Sequence, residues 1–228
     1  MTFEKWVLAS AVAGIALVVV MFVATRAFLA ASRVIDSVNL AVGRAMLWLV
    51  LFAVLISTGN AIIRKLFDRS SNAFLEVQWY LFGAVFMLCA AYTLLRNEHV
   101  RIDVISSRYS RRTLAKIDVF GFVFFLLPMS GILLYLSWPV FKNSVAKPRI
   151  GETEATLGQV MNAILDPSQW EWSVDAGGLM RWPAKILIPI GFLLLSLQGI
   201  SELTKRVAFL RGMIPDPNEK AAAHGTVE

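Results

Sequence analysis

The chain has 228 residues, of which 57% are hydrophobic and 17% are charged, and its formal net charge is +6. Soluble domains carry about a quarter charged residues, so this composition excludes an ordinary soluble protein. The basic residues stand mostly at the ends of apolar stretches, where anionic lipid headgroups attract them, so the positive charge does not indicate nucleic-acid binding.

Five apolar stretches contain no charged residue. They cover residues 6–25, 45–63, 77–95, 119–141 and 186–201. A helix needs roughly 20 apolar residues to cross a hydrocarbon core about 30 Å thick, so the sequence predicts an all-α integral membrane protein. Residues 1–5 have no net positive side-chain charge, and the first stretch exceeds the usual length of about 7–15 residues in a signal peptide. We therefore expect that stretch to be a retained anchor.

The distribution of Lys and Arg predicts the orientation in the membrane. Most of the 22 basic residues lie between the first two stretches, between the third and fourth, and in the C-terminal tail. Segments rich in Lys and Arg stay on the cytoplasmic side, so these three are predicted inside. With five spans the C-terminus is then cytoplasmic and the N-terminus is outside, or periplasmic in a bacterium. Arg64, Lys65 and Arg69, in a loop predicted outside, run against the rule.

Two motifs stand at the ends of the third stretch. Ser70-Ser71-Asn72 offers N-cap residues, and Glu76 faces the positive end of the helix dipole. Beyond the stretch, His99 and Asp103 have i, i+4 spacing, so a continuing helix places them on one face with Arg96 and Arg101 near enough to pair. This pattern predicts an interfacial ion-pair cluster; a proton relay or pH switch using His99 is the alternative.

The segment 142–182 is the longest part outside the apolar stretches. Five apolar residues in it follow helical spacing: Leu157, Val160, Met161, Ile164 and Leu165. They predict a short amphipathic helix on the outer face that Asp166-Pro167 would end. Trp170, Trp172 and Trp182 follow, and such rings prefer the headgroup level, so the segment is expected to lie on the membrane surface. A docking platform for a soluble partner is the alternative.

Sequence signs of catalysis are absent from the chain. The five stretches contain no ionisable Asp, Glu, Lys, Arg or His, although such groups mark intramembrane ion pathways. The two histidines, His99 and His224, lie outside them, which excludes a bis-His cytochrome. No hydrolase, zinc-protease or phosphate-loop motif occurs. We expect a helper protein that is not an enzyme and has no cofactor or metal, with polar residues such as Gln198 joining helices.

A family likeness is carried by residues 80–94 and by the run Arg96-Asn97-Glu98-His99-Val100-Arg101-Ile102-Asp103-Val104. Further matches are Arg64, Glu76, the stretch 177–183 that includes Arg181 and Trp182, and Gln198. In these features the chain resembles the small integral membrane (DctQ-type) subunit of tripartite ATP-independent periplasmic (TRAP) transporters. The resemblance extends over about residues 35–212.

The resemblance implies a non-catalytic small permease subunit in the bacterial inner membrane. Its partners would be a large permease subunit, a soluble periplasmic substrate-binding protein and membrane lipids, with no nucleic acid. Transport would be driven by sodium, with a carboxylate as the usual cargo, and the small subunit would brace the large one and could help dock the binding protein. The candidate structural or partner-interface residues are Arg64, Glu76, His99, Arg101, Asp103, Arg181 and Trp182.

The predicted organisation has three parts. Residues 1–34 form an additional N-terminal transmembrane helix, residues 35–212 the four-helix small-permease domain including the outer segment 142–182, and residues 213–228 a disordered cytoplasmic tail. Two other functions stay open at this point: a stand-alone small membrane enzyme or channel, and an accessory subunit of a respiratory complex.

Overall fold

The structure, a computed structural model, describes residues 3–68, 71–96, 109–148, 152–175 and 177–216. Over these ranges the chain forms helices α1 (Phe3–Val23), α2 (Thr25–Phe67), α3 (Asn72–Arg96), α4 (Arg111–Gly121), α5 (Leu127–Val145), α6 (Leu157–Ala163) and α7 (Trp182–Leu210). A π-helical segment, Phe122–Leu126, joins α4 to α5, and a 3-10 turn occupies Pro167–Gln169. β pairing in the same ranges amounts to one isolated antiparallel bridge, between Trp172 and Met180.

Four helices are long and apolar enough to cross a membrane: α2, α3, the continuous helix Arg111–Val145 and α7. The shortest of them, α3, has 25 residues. At 1.5 Å per residue it is about 37 Å long, which exceeds the thickness of a hydrocarbon core. These helices contain the second to fifth apolar stretches, so the prediction of an all-helical membrane protein with four core spans is confirmed.

Helix α1 contains the first apolar stretch. It has 21 residues, and its sequence is apolar from Trp6 to Val23. Its helical structure alone does not show that it crosses a membrane. The additional N-terminal span therefore stays a prediction, as does the placement of α6 at the membrane surface. Of the tail predicted to be disordered, residues 213–228, the structure describes 213–216, where Asp216 pairs with Arg111 at 3.3 Å. Residues from 217 onward lie outside the described residues.

Helix α2 continues without interruption for 43 residues, from Thr25 to Phe67. Arg26, Arg33 and Arg44 therefore lie on the same helix as the span that follows them, and the predicted domain boundary after residue 34 falls inside α2. The junction with α1 is at Ala24, whose carbonyl accepts a bond from the Ala27 amide at 3.0 Å. The Thr25 hydroxyl donates to the Met21 carbonyl at 2.8 Å, so a side chain joins the end of α1 to the start of α2.

Pro128 has a visible effect on the fourth span. It cannot donate a backbone hydrogen bond, and its ring would clash with the carbonyl one turn earlier in a regular α-helix. The chain widens into the π-helical segment just before it, and the Leu127 amide bonds to the Phe122 carbonyl, five residues back. A π-helical segment of this kind is a recognised cause of helix kinks.

The chain divides into two compact units, and each of the four spans contributes residues to both. In the first unit, Met21, Val123, Leu203 and Val207 form a buried core between α1, the π-helical segment and α7. In the second, Val145, Ala146, Ala155, Val160 and Ala163 form a core beneath the outer segment. Within its most apolar stretch α7 is 39% buried, against 11–22% for the other spans, so it is the most enclosed helix.

Close packing within the second unit depends on Gly191 in α7. A Cβ atom at this position would lie 2.9 Å from both the Cβ and the backbone oxygen of Met87 in α3. A backbone oxygen cannot move aside as a side-chain tip can. Gly191 therefore sets how closely α7 and α3 approach.

We expect Gly191→Ala to destabilise the protein by about 1–3 kcal/mol, because the added methyl group forces the two helices apart. Gly83→Ala is the matched control, since a Cβ atom there meets nothing within 4 Å. The control should be neutral or gain up to about 1 kcal/mol from helix propensity. Thermal unfolding of both variants in the same detergent measures the difference, and equal midpoints would contradict the packing role of Gly191.

Candidate functional site

A clamp from α3 holds the loop that precedes α7. The Glu76 side chain is buried, with 4% exposure, in the first turns of α3. Its carboxylate accepts a hydrogen bond from the Leu179 amide at 2.6 Å and another from the Ser173 hydroxyl. One turn further on, the Tyr80 hydroxyl donates to the Met180 carbonyl at 2.9 Å. We call these five residues the Glu76 clamp. The partners of Glu76 are thus about 100 residues away in the sequence. Its position near the start of α3 suggests only a favourable interaction with the helix dipole, so these bonds are an additional function of the side chain.

The clamped loop is a tight hairpin. The Ser173 amide donates to the Leu179 carbonyl at 3.0 Å, and Gly177 turns the chain with φ +73°. A Cβ atom at Gly178 would lie 2.8 Å from Glu76 Oε1 and still closer to Ser173, so only glycine leaves room for the carboxylate. Gly178 therefore lets the hairpin approach the Glu76 clamp, and Gly177 forms its turn.

Two further candidate residues, Arg181 and Trp182, lie where this hairpin enters α7. The Arg181 guanidinium is 3.5 Å from the Glu171 carboxylate, which also pairs with Lys185. Trp182 packs edge-on against Trp170, with ring centroids 5.7 Å apart, over the core of the second unit. Trp170 and Trp182 are thus inner residues of the outer segment, while Trp172 is half exposed.

Helix α6 forms where the apolar spacing predicts a helix. Thr156 and Gln159 form a capping box at its start, and the α-helix ends at Ala163, before the predicted stop at Asp166-Pro167. Asp166 instead caps the 3-10 turn, and the bonds from the Ser168 hydroxyl and amide lower the pKa of its carboxyl group. Of the predicted stripe only Val160 is buried. The exposed members are Leu157, Met161, Ile164 and Leu165.

A second cluster, the polar network, joins α2 to α7 in the first unit. It consists of Asp36, Asn39, Gln198, Ser201, Glu202 and Lys205. Asn39 donates to Gln198 Oε1 at 2.7 Å, and Gln198 donates to Asp36 Oδ1 at 3.0 Å and Glu202 Oε1 at 3.2 Å. The Lys205 ammonium lies between the two carboxylates, 2.7 Å from Asp36 and 2.6 Å from Glu202.

Arg206 extends the polar network to α4. Its side chain is buried, with 2% exposure, and its Nε is 2.9 Å from Asp118 Oδ2. A second nitrogen of the guanidinium is 3.8 Å from Glu202. Lys205 and Arg206 thus pair with the acids Asp36, Asp118 and Glu202.

Of the four remaining predicted site residues, the structure describes only Arg64. Arg64 is exposed in the last turn of α2, where a cation is favoured by the helix dipole. His99, Arg101 and Asp103 lie outside the described residues. Sequence reasoning found Glu76 and Gln198 but missed Asp36 and Asn39. The sequence did contain a sign of the polar network on α7. Gln198, Ser201, Glu202 and Lys205 follow i, i+3, i+4, i+7 spacing and so form one polar face, which needs polar partners on a neighbouring helix.

The arrangement offers hydrogen-bonded and ion-paired contacts between helices. Across the described parts of the chain, no group of three His, Cys, Asp or Glu side chains is placed to hold a metal ion. The fold and its clusters define a multi-span helical membrane protein in which the charged residues of these clusters join segments of the chain.

The family model described as tripartite ATP-independent periplasmic transporters, DctQ component, matches residues 53–209. The chain belongs to this family, and the resemblance seen in the sequence is confirmed. No curated protein and no solved structure matches the chain significantly. Members of the family are transporter components that function in a TRAP complex. The family and the four apolar helices together support a multi-pass protein of the inner membrane.

Glu76→Gln is expected to loosen the hairpin, because an amide replaces one of the two acceptor oxygens with a donor. Hydrogen bonds to a charged group contribute about 1.5–3 kcal/mol, so amide exchange at Leu179 should accelerate about tenfold or more. Hydrogen exchange followed by mass spectrometry over residues 172–180 measures this exchange rate. Glu154→Gln is the control, because Glu154 is 49% exposed and pairs with Lys142 at the surface. Equal exchange in wild type and Glu76→Gln would contradict the clamp.

Arg206→Met is expected to destabilise the protein by about 3–5 kcal/mol, because it removes a buried cation from Asp118 and Glu202. The control is Arg33→Met, which removes the same charge from a residue that is exposed on α2. Exposed charges contribute up to about 1 kcal/mol, so the control should change little. Thermal unfolding in detergent compares the two, and a loss of similar size in both would refute the distinction.

Proposed function

We propose that this chain is the non-catalytic small permease subunit of a sodium-driven TRAP transporter for a carboxylate. It would brace the large permease subunit and help dock the periplasmic substrate-binding protein. The observation that carries the proposal is the family match over residues 53–209. Sodium coupling and carboxylate cargo come from the resemblance to the family. Substrate and sodium sites would then belong to the large subunit.

The use of charge in this chain supports a bracing role. Transport of an anion through hydrocarbon needs polar or charged groups that face the pathway. Here the charged members of the polar network, together with Arg206 and Asp118, bond to one another between helices. Such groups hold helices in place. The alternative of a stand-alone enzyme or channel gains no support from the family match.

Apolar faces on the spans support a place beside a larger membrane partner. Helix α3 is the least buried span, at 11% of its most apolar stretch, and Phe86 on it is 78% exposed. An exposed face of this kind suits lipid tails or the helices of a partner equally well. We therefore propose contact with the large subunit without assigning it to one helix. Arg64, Glu76, His99, Arg101, Asp103, Arg181 and Trp182 remain the proposed structural or interface residues.

The outer segment is the proposed contact with the binding protein. Leu165 and Val174 on it are 89% and 87% exposed, and the Glu76 clamp holds the hairpin that carries Val174. A fixed hairpin presents the same surface at each encounter, which lowers the entropy cost of docking. In the proposed orientation this segment is periplasmic, with the C-terminus cytoplasmic and the N-terminus periplasmic.

The chain reconstituted alone in liposomes with an inward sodium gradient should take up no carboxylate. When it is co-expressed with its large permease subunit, a tag on this chain should recover both proteins from mild detergent. Robust sodium-dependent uptake by the chain alone would overturn the proposal, and so would failure of the two subunits to co-purify.

Assembly can be separated from folding with interface variants. Glu76→Gln and the double variant His99→Ala, Asp103→Ala should lower the yield of the complex more than the yield of the subunit itself. Glu154→Gln serves as the matched surface control. Wild-type complex yields from both variants would remove these residues from the proposed interface.

A further inference from the structure

A cavity opens at the junction of α1 and α2. It has a volume of about 470 Å³, and its lining includes Val23, Thr25, Arg26, Arg211 and Met213. Two arginines therefore line one small space, and none of the described residues that line it is acidic. Like charges are not brought together without a gain elsewhere, so the pair indicates an anionic ligand.

Arg211 is held in position by the junction itself. One of its terminal nitrogens, Nη1, donates to Thr25 Oγ1 at 2.6 Å and to the Phe22 carbonyl. The guanidinium carbon is 4.4 Å from the centre of the Phe22 ring, a distance typical of cation–π contact. Because these contacts fix the plane of the group, its other N–H donors have a set direction.

Arg26 is exposed, and its side chain has no hydrogen bond or ion pair with any described residue. It lies in the first turn of α2, next to Thr25. Two guanidinium groups beside a helix start suit a phosphate group, whose oxygens accept paired N–H bonds.

The rim of the cavity is apolar. Val23, which lines the cavity, is 82% exposed, and its neighbour Phe22, which is not among the lining residues, is 54% exposed. Both belong to the end of α1, where the apolar stretch gives way to the charged part of α2. A ligand that contacts this rim and both guanidinium groups needs an anionic head joined to hydrocarbon chains.

We propose that this cavity binds the phosphate group of an anionic phospholipid, with Arg26 and Arg211 as its cationic ligands and the acyl chains against Phe22 and Val23. The site would tie the start of α2 and the end of α7 to the headgroup layer. This lipid site does not depend on the proposed function, because it would exist whether or not the chain is part of a carboxylate transporter.

Native mass spectrometry of the full chain in detergent tests the site. Added dioleoylphosphatidylglycerol should bind the wild-type protein, and Arg26→Gln should weaken that binding about tenfold, as expected for the loss of a charge-assisted contact. Arg26→Gln is the cleaner variant because Arg211 also bonds to the backbone. Arg33→Gln is the matched control, since Arg33 is exposed on the same helix but does not line the cavity; it should change binding by less than about twofold.

Two further ligands separate the sources of the phosphate. Dioleoylglycerol, which has the same chains without phosphate, should not compete, and inorganic phosphate should compete only weakly. Equal competition by dioleoylglycerol would overturn a phosphate site. Tight, Arg26-dependent binding of inorganic phosphate without lipid binding would overturn the lipid assignment. If Arg33→Gln weakened lipid binding as much as Arg26→Gln does, the effect would come from the net charge of the protein and not from this cavity, and the proposal would be refuted.

Discussion

Hydrocarbon offers no hydrogen-bond partners, so a polar group within a membrane protein must find its partner inside the protein. Helix α7 shows this constraint most clearly. Its polar residues at and after Gln198 bond to Asp36 and Asn39 of α2 and to Asp118 of α4. Each of these bonds joins α7 to another helix. If one helix moved along another, the bonds would break and a charged group would be left without a partner in apolar surroundings, which is costly. The rigidity of this unit follows from that penalty more than from apolar packing, which lipid tails could replace.

The second unit is held by a different arrangement. A single carboxylate, Glu76, gathers an amide and a hydroxyl from the hairpin before α7, and an arginine and two tryptophans complete the entry into that helix. One cluster thus links spans to each other, and the other links a span to a loop outside the apolar stretches.

The four spans were predictable because an uncharged apolar run of this length has few other stable structures in water or lipid. Helix α6 was predictable from its apolar spacing, although its exact end was not, because Asp166 caps the turn beyond it. The continuity of α2 was harder to see, since Arg26, Arg33 and Arg44 interrupt the apolar pattern without interrupting the helix. The partners of Glu76 and Gln198 could not be read from one sequence. Ser173 and Asp36 are 97 and 162 residues away from them, and only the fold brings each pair together.

The π-helical segment Phe122–Leu126 has a consequence for which side of the fourth span meets α7. In a regular α-helix, Asp118 and Ser130 would point about 120° apart, because 12 residues at about 100° each do not close a whole number of turns. The extra residue accommodated by the wide turn reduces the offset to about 20°. Asp118 can then reach Arg206 while Ser130 meets Ser196, at 2.9 Å in both cases. Removing one residue from that turn would keep the span apolar and nearly as long, yet would rotate one of these two contacts out of phase with the other.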